Sequence, residues 1–175
     1  MKSRRLFLSA IGLLWVSSQV MAADERILSR QQVPNTVHSA FQKDFPSARQ
    51  VGYLEEIKAG KTVYEIEFKD GGKGRSAFYT EAGRLIESEK AINSTELPDF
   101  VTTSIKNSHP KAVVKQAEQV MAPDGTIRGY EIDIAEPGEM IELVLDSSGK
   151  VINADPANAY SAPIGLPAKL KTTGQ

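Results

Sequence analysis

The chain has 175 residues, with 21 Lys plus Arg against 22 Asp plus Glu and a formal net charge of −1. That balance argues against nucleic acid or an anionic lipid surface as partner, because both reward clustered positive charge. With no cysteine there is no disulfide framework, no thiolate nucleophile and no cysteine-ligated metal, so stability has to come from packing.

The first 22 residues have the layout of a secretory leader. Lys2, Arg4 and Arg5 form a positive start, an apolar stretch follows over residues 6–16, and Val20-Met21-Ala22 supplies small residues suited to cleavage after Ala22. The apolar stretch is shorter than the roughly 20 residues a membrane-spanning helix wants, so no stable membrane insertion is expected once the leader is removed. Ser3-Arg4-Arg5-Leu6-Phe7-Leu8 resembles the twin-arginine export signal, and both that route and general secretion lead to the periplasm. Loss of the leader leaves 18 basic residues against 22 acidic ones.

Comparing the chain with itself reveals a repeat. Val33-Pro34-Asn35-Thr36-Val37 and Phe45-Pro46-Ser47-Ala48 align with Leu97-Pro98-Asp99-Phe100-Val101 and His109-Pro110-Lys111-Ala112 at an offset of 64. At an offset of 66, Tyr64-Glu65-Ile66-Glu67-Phe68 faces Tyr130-Glu131-Ile132-Asp133-Ile134, Gly72 faces Gly138, and Gly83-Arg84-Leu85-Ile86 faces Gly149-Lys150-Val151-Ile152. The units are placed at 33–90 and 97–153, with an Ala- and Pro-rich tail at 154–175.

Each unit opens with a proline near the first helical position and continues as a short amphipathic helix. Val37, Ala40 and Phe41 share one face in the first copy, and Val101, Ser104 and Ile105 do so in the second. Pro46 and Pro110 end the helices, since the residue before a proline is pushed out of the α region. Strand patterns follow at 51–57, 62–69, 75–80 and 84–89, and again at 113–121, 128–135, 140–146 and 150–153, separated by short Gly-containing turns. The expected fold is α+β: a tandem repeat of one helix plus a four-stranded antiparallel meander, with the helices packed on one sheet face.

The strand Val63-Tyr64-Glu65-Ile66-Glu67-Phe68, the segment Phe78-Tyr79-Thr80-Glu81-Ala82-Gly83 and their second-copy counterparts resemble the PepSY-like family, related in fold to the beta-lactamase inhibitory protein. The resemblance runs over residues 33–153. The second copy departs from it, with Ile134 for Phe68, Val144-Leu145 for Phe78-Tyr79, and Pro137 in a turn. It implies an extracytoplasmic domain that binds or restrains other proteins, peptidases included, and it carries over no catalytic set.

Strand alternation puts Tyr64, Ile66 and Phe68 toward the helix and Glu65 and Glu67 on the opposite face, with Glu131 and Asp133 repeating the arrangement. Glu87 and Glu89, with Glu142, are expected to join them, punctuated by Phe78, Leu85, Val144 and Val151. This acidic face with apolar anchors is the candidate partner-binding surface. The alternative is that its carboxylates only solvate the open side of a sheet. Cation binding would need oxygens converging on one ion, and alternation is expected to spread them, so no metal site is expected. Tyr64 and Tyr130 read as core, His38 as a helix-surface residue and His109 as a turn residue. No nucleophile elbow, metalloprotease helix or phosphate-cradling loop is present, so neither catalysis nor a cofactor is expected. The leading expectation is an extracytoplasmic protein-binding module, an inhibitor or regulator of an envelope protein such as a peptidase. A small-molecule- or metal-responsive periplasmic binding protein is the second.

Overall fold

The computed structural model describes residues 26–58 and 60–156. The expected leader and the tail beyond residue 156 lie outside them. Antiparallel strands β1 (Arg26–Leu28), β2 (Arg49–Lys58), β3 (Lys61–Asp70), β4 (Lys73–Thr80), β5 (Leu85–Ala91), β6 (Val113–Met121), β7 (Ile127–Glu136), β8 (Glu139–Asp146) and β9 (Val151–Pro156) form one nine-stranded sheet in strict sequence order. Helices α1 (Asn35–Asp44) and α2 (Asp99–Ser108) precede β2 and β6.

The helices form for the reason the sequence suggests, with one adjustment. Pro34 and Pro98 sit at the N-cap rather than inside the first turn. Phe45 and His109, each pressed by the proline after it, leave the α region with φ of −131° and −133°. Val37 and Phe41 on α1, and Val101 and Ile105 on α2, are buried. Each such side chain contributes about 1.5–3 kcal/mol by leaving water. Two cores result, both between helix and sheet: Tyr64, Ile66, Phe68, Ala77 and Tyr79 under α1, and Tyr130, Ile132, Ile134, Leu143 and Leu145 under α2.

Three expectations change. The four-stranded meander per repeat becomes a continuous sheet, because the repeat starts earlier than its proline. A one-turn 3-10 helix closed by a capping box precedes each α-helix, Ser29 with Gln32 and Asn93 with Glu96, at the same offset of 64. The strand before it is β1 in the first copy and the end of β5 in the second. Thus β1 pairs with β2 as β5 pairs with β6, through Ser88↔Met121, Glu89↔Val120, Lys90↔Gln119 and Ala91↔Glu118. One strand closes the first unit and opens the second. The chain also stays extended through Ala154 in β9, where a tail was expected to begin.

The third change concerns Leu85 and Val151, expected on the open face. The ladder slips one residue between Phe78 and Tyr79 opposite β5, and between Val144 and Leu145 opposite β9. A bulge of this kind reverses the alternation beyond it. Leu85 and Val151 therefore pack into the helix-side cores.

Candidate functional site

With both helices on one side, the other face of the sheet carries the alternate residues of every strand. Cross-strand register lines up Leu54, Glu65, Phe78 and Glu87 on β2 to β5, and Gln116, Asp133 and Glu142 on β6 to β8. Between these rows Glu67, Ser76, Glu89 and Val120 follow one another across β3 to β6, and Glu118, Glu131 and Val144 across β6 to β8. All eight residues expected on this face, Glu65, Glu67, Phe78, Glu87, Glu89, Glu131, Asp133 and Glu142, lie on it.

The face is concave rather than an open plane. Glu131 on β7 is influenced by Glu56 and Lys58 on β2, and Glu118 on β6 by Glu67 on β3, although several strands intervene. Strands about 4.8 Å apart would keep these groups well beyond each other's influence on a flat sheet, so the sheet curls around its helix-free side. Burial follows from the curl. Phe78 is 3 % exposed, Glu89 and Asp133 are 5 %, and Glu118 is 9 %, whereas Glu65, Glu67, Glu87, Glu131 and Glu142 are half-buried.

Crowded carboxylates in a partly dry trough hold their protons tightly. Burial raises Glu65 well above the usual carboxylate range, and a hydrogen bond and repulsion from Glu56 add to it. Burial, then Glu131 and Glu118, raise Glu89. Burial pushes Glu118 up to about 7, followed by repulsion from Glu131 and Asp133, and pushes Glu131 to about 7, followed by Glu142. Lys58 reaches over this face from β2. Its Nζ lies 3.8 Å from the centre of the Phe78 ring and 3.3 Å from Glu56 Oε2. Burial alone would lower its pKa, but Glu56, then Glu89, Glu65 and Glu87 reverse that and raise it.

Three carboxylates meet. One oxygen each of Glu89, Glu118 and Glu131 lies within 4.8 Å of the others. Beside them is a small cleft open to solvent, lined by Gln116, Glu118, Glu131, Ile132, Asp133 and Glu142. Alternation does spread carboxylates along a strand, but neighbouring strands bring them side by side. The expectation that they stay dispersed is therefore corrected. Sequence reasoning missed Glu56, Lys58, Gln116 and Glu118. Glu118 was legible, since it stands two residues before Val120 in a predicted strand, but its partners were visible only through the β5–β6 and β6–β7 registers.

The histidines lie elsewhere. His38 is on α1 with its ring 6.4 Å from that of Tyr53, and His109 caps α2 with Nδ1 3.3 Å from Glu136 Oε1. Among the described residues no helix is long and apolar enough to cross a membrane.

Solved structures share this fold. A "putative periplasmic" protein of Bacteroides eggerthii superposes with a TM-score of 0.60 at 19% identity, over 71% of this chain and 88% of its own. A BLIP-like protein of Bacteroides fragilis gives 0.54 at 16%, over 73% and 89%. A DUF2874 family protein of Bacteroides uniformis gives 0.58 at 16%, over 70% and 88%. No curated relative matches the chain. The family described as "Putative beta-lactamase-inhibitor-like, PepSY-like" matches twice, over residues 19–87 and 73–153. The two matches overlap where β4 and β5 link the copies, and together they span most of the sequence: the chain belongs to the PepSY-like family.

Proposed function

We propose that this protein is a periplasmic binding module, not an enzyme, whose concave acidic face receives a basic segment of an envelope protein and thereby inhibits or regulates it. One observation carries the reading: carboxylates from β2 to β8 converge on a single concave surface that also holds the apolar side chains of Leu54, Phe78, Val120 and Val144. A trough of that shape suits a convex loop bearing Lys or Arg, with apolar contact in its floor. The leader-like start of the sequence, the periplasmic name of the Bacteroides eggerthii protein and the inhibitor-like family name support the setting. A peptidase is the partner class the family resemblance favours.

The test is capture from envelope extract on immobilised protein, in parallel with a variant carrying Glu67→Gln, Glu87→Gln and Glu142→Gln. These half-buried side chains can lose charge without leaving a hole in either core. A protein retained by the wild type, released by salt and lost with the variant is the expected result. Equal capture by the variant, with no dependence on salt, would move the binding surface to the helices or the sheet edges.

A further inference from the structure

Where β5, β6 and β7 run side by side, Glu89, Glu118 and Glu131 bring a carboxylate oxygen each together on the concave face. We propose that these three residues hold a divalent cation of the calcium class, and that the ion joins the two repeats at the strand they share. This site stands on its own geometry and needs no protein partner.

Several observations support the assignment. One oxygen from each residue lies within 4.8 Å of the other two, and oxygens bound at about 2.3–2.6 Å to one calcium ion stand up to about 5 Å apart. The donors are all carboxylate oxygens, the hard ligands that calcium takes and that zinc or copper sites seldom use alone. Glu118 is only 9 % exposed, and its Oε1 has neither solvent access nor a hydrogen-bond donor. A buried acceptor left in that state costs free energy unless something positive meets it. The Gln116 Oε1, on the wall of the adjoining cleft, is likewise buried and lacks a donor. It offers a neutral fourth oxygen of the kind calcium accepts, and the cleft has room for water to complete the shell.

The charge balance points the same way. Lys58 lowers the cost of Glu89 and Glu131 from a distance. Its ammonium, however, is held by Glu56 and the Phe78 ring at the β2–β4 side of the face. A divalent ion would offset the remaining repulsion where it is greatest. It would also tie β5 to β6 and β7, adding ionic bonds to a seam that otherwise depends on four register pairs and their neighbours.

The test uses the purified protein stripped with chelator and then titrated with calcium chloride, with magnesium chloride and ionic-strength-matched sodium chloride as controls, followed by melting temperature and titration calorimetry. The expected result is saturable calcium binding and a rise of about 5 °C or more once calcium reaches roughly a hundredfold excess over its dissociation constant. Magnesium, which demands tighter octahedral geometry, should do less. Glu118→Gln should abolish the shift and the calorimetric signal. Glu131→Gln, at a half-buried position, provides a second variant that should weaken both should the first fail to fold. An equal shift with sodium, or a calcium shift that survives in a folded variant, would overturn the site. Neither readout involves a partner protein, so failure here leaves the acidic-face reading untouched, and failure of capture leaves the cation site untouched.

Discussion

Glu65 and Glu56 are diagonal neighbours on adjacent strands, paired with Leu54 and Val63 respectively, with Glu67, Ser76 and Glu89 near Glu65 and Lys58 overhead, and their carboxyl groups share a hydrogen bond. Burial first, and then this hydrogen bond, which needs a protonated carboxyl as its donor, make folding favour the protonated form of Glu65. A carboxyl whose pKa is raised on folding contributes stability that is complete below the usual carboxylate range and is lost as pH climbs through the raised value. In chelator-containing buffer the melting temperature should therefore fall as pH rises above the usual carboxylate range, with Glu118 and Glu131, both raised to about 7, adding to the loss near neutrality. The Glu65→Gln variant, which keeps a hydrogen-bonding amide without a titrating proton, should show a shallower fall. Identical pH profiles for the two proteins would rule out Glu65 as a contributor. The tyrosines act differently. Tyr64 and Tyr130 are 7 % and 4 % exposed within the two helix-side cores. Replacing either with alanine should cost about 3–5 kcal/mol in urea unfolding, as large-to-small core changes do. Loss of binding at unchanged stability would instead assign them to a site.

Helix and sheet meet differently in the two copies, and two equivalent glycines show how. Gly83 and Gly149 both turn into the last strand of their copy with φ of +77° and +83°. Any Cβ is strained there. At Gly83 the added carbon would lie 2.6 Å from the backbone oxygen of Thr36, whose hydroxyl already donates to the Glu81 carbonyl at 2.6 Å. At Gly149 it would meet the ring of Phe100, a side chain 46 % exposed and held on one side by an edge contact with Tyr130, which can yield more readily than a backbone carbonyl. Gly83→Ala should thus destabilise by about 1–3 kcal/mol through the backbone, and Gly149→Ala by less, close to the torsional cost alone. Equal losses in thermal unfolding would show that Phe100 is as immovable as a backbone carbonyl. Helix α1 is further fastened at its end by Tyr79, whose hydroxyl donates to Asp44 Oδ2 at 3.1 Å.

Sharing of β5 makes one molecule out of two repeats. Each helix has its own core, yet no loop separates the sheets, and unfolding one unit would strip β5 of its pairing on one side. A single cooperative transition is expected, reported alike by circular dichroism and by the tyrosines of both halves. Leu143→Ala, which empties a fully buried position in the second core, should lower that one transition rather than split it, by about 2–5 kcal/mol. Two resolved transitions would show that the seam is weaker than the units it joins. On this scale the acidic face also belongs to the whole chain. Its carboxylates come from both copies, and salt near 1 M, which shortens the Debye length to about 3 Å, should slow association with a basic partner.

Period-two alternation and the proline-framed helices determined most of the architecture in advance. The pattern Tyr64-Glu65-Ile66-Glu67-Phe68 leaves its carboxylates only the face opposite the rings, and the second copy obeys the same rule. The capping pairs Ser29 with Gln32 and Asn93 with Glu96 were also legible, and they would have moved the start of the repeat back to β1 and β5. What the one-dimensional pattern could not hold was register and curvature. A one-residue slip beside Tyr79 turns Leu85 from the open face into the core. Pairing of β5 with β6 brings Glu89 toward Glu118 and Glu131, residues about thirty or more positions away in sequence. The coiling of a nine-stranded sheet, the sum of small twists between strands, makes a concave trough of a face that alternation alone would leave flat and solvated. Local sequence sets which side of a strand a residue takes, whereas the distance between residues on different strands is set by hydrogen-bonded register and accumulated twist, which only the folded chain possesses.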